Sequence, residues 1–428
     1  MAHSRGWRAS GSVRLCHTVI AAPGAEDYAA RVRRLLEGDL ERLGVRSEYR
    51  APGDYSGCQA MLALAATGGT EAALLSLVEE APPGLHIAAA SHPAANSTAS
   101  LAEARYELIR SGAPPVPLGP LGVGDQGTLE RLGSTLRGLA AAAVVSGSRL
   151  GVVGEPPAWV VHDASQLARS LGVALARIPA GELLSRLPRE PPPPPRGLLG
   201  AALRVSPDPA ALRDALRVYH ALRELASDYA LDAVAPSCPS FMGEAGSNAC
   251  LAMALLNVEG LTVGCEGDVA ATLALHLSQA AAGRPGFLAN TAWIRGGRLL
   301  AAHCGAPPTM GVAHSVESHV LTRRSPTLAV WFPRGVGVTV AQAGWAGDVL
   351  VVGEGVVAEG APWRGRQCES QMLVEIPGEA GLAQALANLR TGNHVAVTLG
   401  RHAMALSVAW AALNPGAPVV VAGGEPWL

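Results

Sequence analysis

The stretch LHIAAASHPAANSTASLAEARYELI, residues 85–109, sets the fold class. Leu85–Ala90 is a short run, apolar apart from His86, of the kind that fills the interior of a parallel sheet. Ser91-His92-Pro93 opens a loop. Ser97–Ile109 then carries amphipathic helical spacing, with Ser97 or Thr98 placed to cap its first turn. The same alternation extends upstream, with a strand at Val13–Ala21 and a helix at Glu26–Leu43 that repeats Val32, Leu35, Leu36, Leu40 and Leu43. Ala60–Ala66 and Thr70–Val78 continue it. Short strands alternating with helices predict an α/β fold with a parallel sheet wound on both faces.

Beyond the proline-rich turns at 113–120, Leu129–Val145 predicts a further long helix, and a second α/β unit restarts at Arg149. Leu150–Val153, Val173–Ile178 and Ala230–Ala235 read as its strands, Trp159–Ser170 and Leu212–Ser227 as its helices. Pro188–Arg196, with five consecutive prolines, is an extended connection. From about residue 270 the texture changes. Leu288–Ile294, Leu299–Ala302, Leu328–Phe332, Gly337–Ala341, Val349–Val352 and Met372–Ile376 are short and separated by Gly and Pro, which predicts an antiparallel sheet or small barrel. Helices are expected at Gly381–Leu389 and Ala403–Leu413. The expected layout is a frayed leader at 1–12, an α/β domain at 13–147, a second doubly wound α/β domain at 148–268, and a β-rich domain at 269–428.

Composition narrows the function. With 428 residues, 49% hydrophobic and 16% charged, the chain is long enough for several folded cores. A net charge of −2 and 4% aromatics offer neither a basic field nor stacking platforms, so no nucleic acid is expected as partner. Every one of the 33 cationic side chains is Arg. Without Lys there is no Schiff base and no P-loop lysine. The seven cysteines are odd in number, dispersed and free of any C-x-x-C pair, so neither a disulfide framework nor a zinc knuckle is expected. With no apolar span and no signal-peptide pattern, the expectation is a cytoplasmic protein without membrane partners.

Three polar islands interrupt apolar, Gly-rich surroundings: Cys238–Glu244 after a predicted strand, Gly264–Asp268 before a predicted helix, and Gly392-Asn393-His394. Loops at the carboxyl ends of parallel strands are where such folds bind ligands. Glu244, Asp268 and His394 are together a donor set for a hard or borderline divalent cation, Mn²⁺ or Mg²⁺ rather than zinc. Each also has an ordinary explanation. A Glu after a strand is most often a turn residue, an Asp before a helix is usually an N-cap, and a His after Gly-Asn is usually a loop residue. Glu266 would share a face with Asp268 on an extended segment, which leaves it open between a further ligand and a solvated or capping group, the latter favoured. His314 and His319 lie near Ser315 and Glu317, but no G-x-S-x-G elbow accompanies them.

Cys238–Glu244, followed by Leu256–Gly260 and Gly264–Asp268, resembles the central block of the L-fucose isomerase family. Phe287–Asn290 with Ala302–Cys304 is similar to its next segment, and Gly392–His394 with Gly400 and His402 to its C-terminal signature. Asn96-Ser97 with Glu103, and Gly151–Trp159, are weaker parts of the pattern. The resemblance implies two Rossmann-like domains and a barrel-like C-terminal domain. It implies a metal-dependent aldose–ketose isomerase acting on a monosaccharide such as L-fucose through an enediol(ate), with Mn²⁺ as cofactor and Mg²⁺ or Co²⁺ as substitutes. Glu244 and Asp268 would be metal ligands and the acid/base carboxylates, and His394 the third ligand. Asn393, Asn290, Trp159 and Trp363 are candidate substrate contacts. His303 is open between substrate contact and ligand, because the related arabinose isomerases place a His comparably. A homo-oligomer, trimer or hexamer, is implied. Two other readings use the same residues: a metal-dependent sugar epimerase or lyase, and a non-catalytic sugar-binding protein.

Overall fold

The computed structural model describes residues 13–92, 96–111, 126–195, 197–323, 325–362, 367–377 and 392–422. The expected leader at 1–12, the expected helix Gly381–Leu389 and Trp363 lie outside these residues. The chain divides into two compact units, one running up to Ser146 and joined by Met404–Val419, the other comprising Gly147–Ala403 with the residues from Val420.

The first unit contains β1 (Leu15–Ile20), α1 (Glu26–Arg42), β2 (Ser47–Tyr49), β3 (Ala60–Ala65), α2 (Glu71–Glu79), β4 (His86–Ser91), α3 (Ser97–Arg110) and α4 (Gln126–Val145). Its sheet has the order β2-β1-β3-β4, parallel throughout. β1, β3 and β4 are buried along their whole length, which is why they read as continuous apolar runs. Alternate residues separate into two cores. Leu15, Val19, Leu62 and Leu64 meet Val32, Leu36, Leu132 and Leu136, while Cys16, Ile20, Met61 and Ala63 meet Leu74, Leu77, Leu101 and Leu108. The cap of α3 differs from expectation. Asn96, in the left-handed conformation, occupies the N-cap, and Ser97 is turned back to donate to the His92 carbonyl.

One expectation is corrected outright. Cys16 and Cys58 form a disulfide, Cα–Cα 5.7 Å apart. Cys16 points from β1 into the α2/α3 core, and the loop ahead of β3 brings Cys58 to the edge of that same core. Dispersal along the sequence is no guide to distance when a parallel sheet brings together cysteines 42 residues apart in sequence.

The second unit opens with β5 (Arg149–Val153), α5 (Ser165–Ser170), β6 (Ala174–Ile178), α6 (Ala180–Leu184) and α7 (Pro209–Asp228). It continues through β7 (Ala233–Pro236), α8 (Met242–Ala245), α9 (Cys250–Glu259), β8 (Thr262–Val263) and α10 (Val269–Ala282). Its parallel sheet, β6-β5-β7-β8, repeats the winding of the first. α7 starts earlier than expected because Asp208 caps it, accepting from the Ala211 amide, with Pro209 in the first turn. The helix expected from Trp159 begins only at Ser165. Asp163 takes the Ser165 amide and hydroxyl into a local turn, and Pro156-Pro157 hold the chain upstream out of helix.

The strands that follow are β9 (Gly286–Arg295), β10 (Arg298–His303), β11 (Ala313–Ser318), β12 (Pro326–Trp331), β13 (Gly337–Ala343), β14 (Leu350–Glu359), β15 (Ser370–Glu375) and β16 (His394–Leu399). Six of them, in the order β13-β16-β9-β10-β15-β14, pair antiparallel and close through β13–β14 into a barrel. β11 and β12 form a separate hairpin. α10 is buried almost end to end, packed on β7 and β8 on one side and on β9, β13 and β16 on the other. It therefore joins the parallel sheet to the barrel. The chain then reaches α11 (Ala403–Leu413). Among the described residues no helix is long and apolar enough to cross a membrane.

Candidate functional site

The loops leaving β5, β7 and β8 interlock at the carboxyl end of the second sheet. The hydroxyls of Ser237 and Ser240 both donate to the Glu155 carbonyl, at 2.5 and 2.9 Å. A Cβ on Gly267 would lie 3.2–3.3 Å from Pro156, so the loops after β5 and β8 touch only because Gly267 has none.

The Gly264–Asp268 island is a tight turn rather than an extended segment, the Asp268 amide donating to the Cys265 carbonyl at 2.9 Å. Glu266 and Gly267 both take positive φ, 56° and 68°. Because the turn coils between them, Glu266 and Asp268 do not share a strand face. A left-handed Glu costs about 1 kcal/mol or more, and here it aims a carboxylate. Glu266 Oε2 accepts from Trp159 Nε1 at 2.8 Å and stands 3.9 Å from His394 Nε2. Trp159 is itself largely exposed, so its indole acts as a prop for Glu266.

Asp268 has two roles. Its Oδ1 caps α10 through the Ala271 amide at 3.0 Å, and its Oδ2 accepts from His394 Nδ1 at 2.9 Å. The ordinary explanation and the functional one hold together in one side chain. Burial alone would raise its pKa, but the imidazoles of His162 and His394 and the Ala271 amide outweigh burial and hold it well below the usual carboxylate range. The ordinary reading of His394 is a loop residue. It is the first residue of β16, buried, and its alternating His-Val-Ala-Val-Thr-Leu run is an interior barrel strand. Nδ1 is engaged by Asp268, and the buried Nε2 has no hydrogen-bond partner among the described residues.

Around this pair stand His162, whose Nε2 is 3.6 Å from Asp268 Oδ1, and Trp345, edge-on to the His162 ring at 4.5 Å. His303 lies edge-on to His394 at 5.8 Å. Burial, then the neighbouring His394 imidazole, pushes its pKa down to about 3, so it is a neutral ring. Asn393 donates to Asn290 at 2.8 Å, and Asn290 is the register partner of His394 across β9 and β16. Gln342 on β13 donates to the carbonyls of Gly392 and His394 and fixes the start of β16. The sequence reading missed His162, Gln342 and Trp345. His162 carried a usable signal, three residues beyond Trp159, while the other two sit in strand or turn contexts with none.

Glu244 does not join this group. It is exposed on the single turn of α8, which Gly246 ends in the left-handed conformation. Among the described residues, the set of three His, Cys, Asp or Glu side chains with ligand atoms within 4.8 Å of one another is Cys250, Cys304 and His319. Asp268 Oδ2 and His394 Nδ1 have the separation of two neighbouring donors on one ion, but neither Glu244 nor Glu266 completes them. The donor set that the sequence resemblance implies for Mn²⁺ is thus not assembled from these three residues. A separate cleft of about 860 Å³, lined by His17, Arg33, Glu37 and Tyr49, contains none of the site residues.

No family model matches the chain and no curated protein matches it. One solved structure, a provisionally assigned sugar binding protein from Salmonella typhimurium LT2, aligns at 14% identity with a TM-score of 0.15, over 52% of this chain and 77% of its own. A likeness of that size carries no argument.

Proposed function

We propose that the chain is an aldose–ketose isomerase acting on an open-chain monosaccharide, with the Asp268–His394 pair as its proton-moving group. The observation that carries this reading is the 2.9 Å contact between those two buried side chains, which leaves His394 Nε2 without a partner. An Nδ1–H held on a carboxylate fixes the tautomer in which Nε2 has the free lone pair. Nε2 takes the proton from the hydroxyl-bearing carbon beside the carbonyl. The C–H electron pair forms the enediolate double bond, and the carbonyl oxygen takes up the negative charge. The same imidazolium returns the proton to the former carbonyl carbon. Glu266 is placed to exchange protons with the neighbouring hydroxyls, and the Asn290–Asn393 amides offer donors and acceptors to others. Because the implied Mn²⁺ ligands do not converge, no step here is assigned to an ion.

The test is ketose formation by purified protein across a panel of aldoses, with and without added Mn²⁺. His394→Gln and Asp268→Asn are expected to lower turnover by about a hundredfold or more, the scale of a lost general base. Unchanged turnover in both variants sinks the proposal. Product of altered stereochemistry without ketose makes the protein an epimerase, and sugar binding without turnover makes it a binding protein. A Mn²⁺ requirement lost in Glu244→Gln would show that Glu244 is drawn in when the ion binds.

A further inference from the structure

The five free cysteines all lie in the second unit, and two of them meet a histidine. The Cys304 thiol, just past the end of β10, lies within 4.8 Å of the Cys250 thiol and interacts electrostatically with that of Cys368. Cys250 opens α9, and Cys368 lies two residues ahead of β15, the register neighbour of β10. His319, one residue past β11, brings a ring nitrogen to within 4.8 Å of the Cys250 and Cys304 sulfurs. Three segments, separated by 54 and 15 residues, thus send two sulfurs and one imidazole to one place, and Cys368, 49 residues further on, stands beside Cys304 outside that set. Cys250 and Cys304 are buried, while Cys368 and His319 are half-buried. A cleft of about 540 Å³ is lined by the residues flanking both half-buried members, Ser318 and Val320 beside His319, Gln367 and Glu369 beside Cys368. Solvent therefore reaches the edge of the cluster.

We propose that Cys250, Cys304 and His319 form a binding site for a soft, thiophilic divalent cation of the Zn²⁺ class, separate from the Asp268–His394 site, with Cys368 beside Cys304 as the nearest further thiol for the fourth position. Two sulfurs and one imidazole with a further thiol at hand suit a tetrahedral thiolate site, and carboxylate-preferring ions such as Mg²⁺ are disfavoured there. Its role is to staple the start of α9 to the barrel. Uptake exchanges the S–H proton of each ligating cysteine for an S–M bond and releases that proton to solvent. His319 Nδ1 accepts from the amides of Leu321 and Thr322 at 3.2 Å, so its neutral ring holds the proton on Nε2. Ligation by His319 therefore costs either those two contacts or that proton. The sulfurs are the stronger ligands, and His319 is the third donor.

The experiment uses the full chain, purified without chelator, with metal content measured by mass spectrometry and Co²⁺ titrated as a spectroscopic probe. The expected result is bound zinc and, with Co²⁺, an intense thiolate-to-cobalt charge-transfer band. Cys304→Ser is expected to lower metal retention by more than about tenfold, a ligand counting for at least as much as a supporting contact. His319→Ala is expected to lower it less, and Cys265→Ala to leave it unchanged. The band in the unmodified chain needs no variant to fold. Because carboxylate and imidazole ligands give no such band, the result is independent of whether Asp268 and His394 bind an ion. Absence of the band under saturating Co²⁺ overturns the proposal, as does a Cys250–Cys304 or Cys304–Cys368 disulfide in non-reducing peptide mapping.

Discussion

His276, on α10, shows how a buried residue carries a pH dependence unrelated to the site. Thr262 Oγ1 donates to Gln279 Oε1 at 2.9 Å, so it accepts from His276 Nδ1–H at 2.8 Å. Nε2 is then the lone-pair nitrogen, buried and without a partner among the described residues. Burial pushes the His276 pKa down to about 4, against a weaker upward pull from Asp232. A folded-state pKa below the unfolded value means that the neutral ring's contribution is complete above about pH 6.5 and is lost as pH falls towards 4. At about 1.4 kcal/mol per unit, the loss is about 3 kcal/mol. His276→Gln is expected to flatten the fall of Tm between pH 6.5 and 4, and an unchanged slope would refute this reading. At this scale, legibility depended on backbone context. Asp268 could be read because an Asp between an apolar strand and a helix has few places to be. The left-handed Glu266 could not, since a sequence gives φ only where Gly or Pro dictates it. Glu244 and Asp268 stood at the spacing of a shared motif, but the one-turn α8 turns Glu244 to solvent.

At the scale of elements, the strands that sequence patterning found, from Leu288 to Ile376, are five of the barrel's six together with β12. The barrel strand it lacked is β16, whose His394 and Thr398 disguise a buried run as a polar one. Closure was not legible, because pairing of β13 with β14 depends on partners and not on either strand alone. Helix packing was equally hidden and makes a sharp prediction. Gly138 lies inside α4, where Ala is ordinarily favoured by about 1 kcal/mol. A Cβ there would lie 2.6 Å from the Ala405 carbonyl oxygen and 2.7 Å from Val408 Cβ, both on α11. Gly138→Ala is therefore expected to destabilise the first unit by about 1–3 kcal/mol, the cost of overpacking. Gly133→Ala, five residues earlier on the same helix, meets first a Leu43 methyl at 3.4 Å and is expected to stabilise by about 0.5–1 kcal/mol. Opposite signs in chemical denaturation would confirm the close approach, and two gains would refute it.

At the scale of the whole molecule, the second unit starts at Gly147, and the chain's last helix belongs with the first unit. Nothing in the composition of residues 403–413 announces this, because an Ala- and Leu-rich helix is equally suited to either core. Its burial makes the assignment testable. Leu406, Val408 and Trp410 are fully buried, and Val408 belongs to the core built from β1, α1, β3 and α4. Burying such side chains contributes roughly 1.5–3 kcal/mol each, so removing three forfeits about 5–9 kcal/mol. A domain's entire stability is about 5–15 kcal/mol. A chain ended after Ala403, which also removes the edge strand Val419–Ala422 beside β14, is therefore expected to lose the first unit's folded state while the closed barrel keeps that of Gly147–Ala403. In limited proteolysis, the predicted result is rapid cleavage throughout residues 13–146 and survival of a fragment beginning near Gly147. The Cys16–Cys58 bond lies wholly within the first unit, so reduction of the intact chain should weaken that unit without mimicking the truncation. If both units of the truncated chain resist protease as they do in the intact one, α11 is not part of the first core.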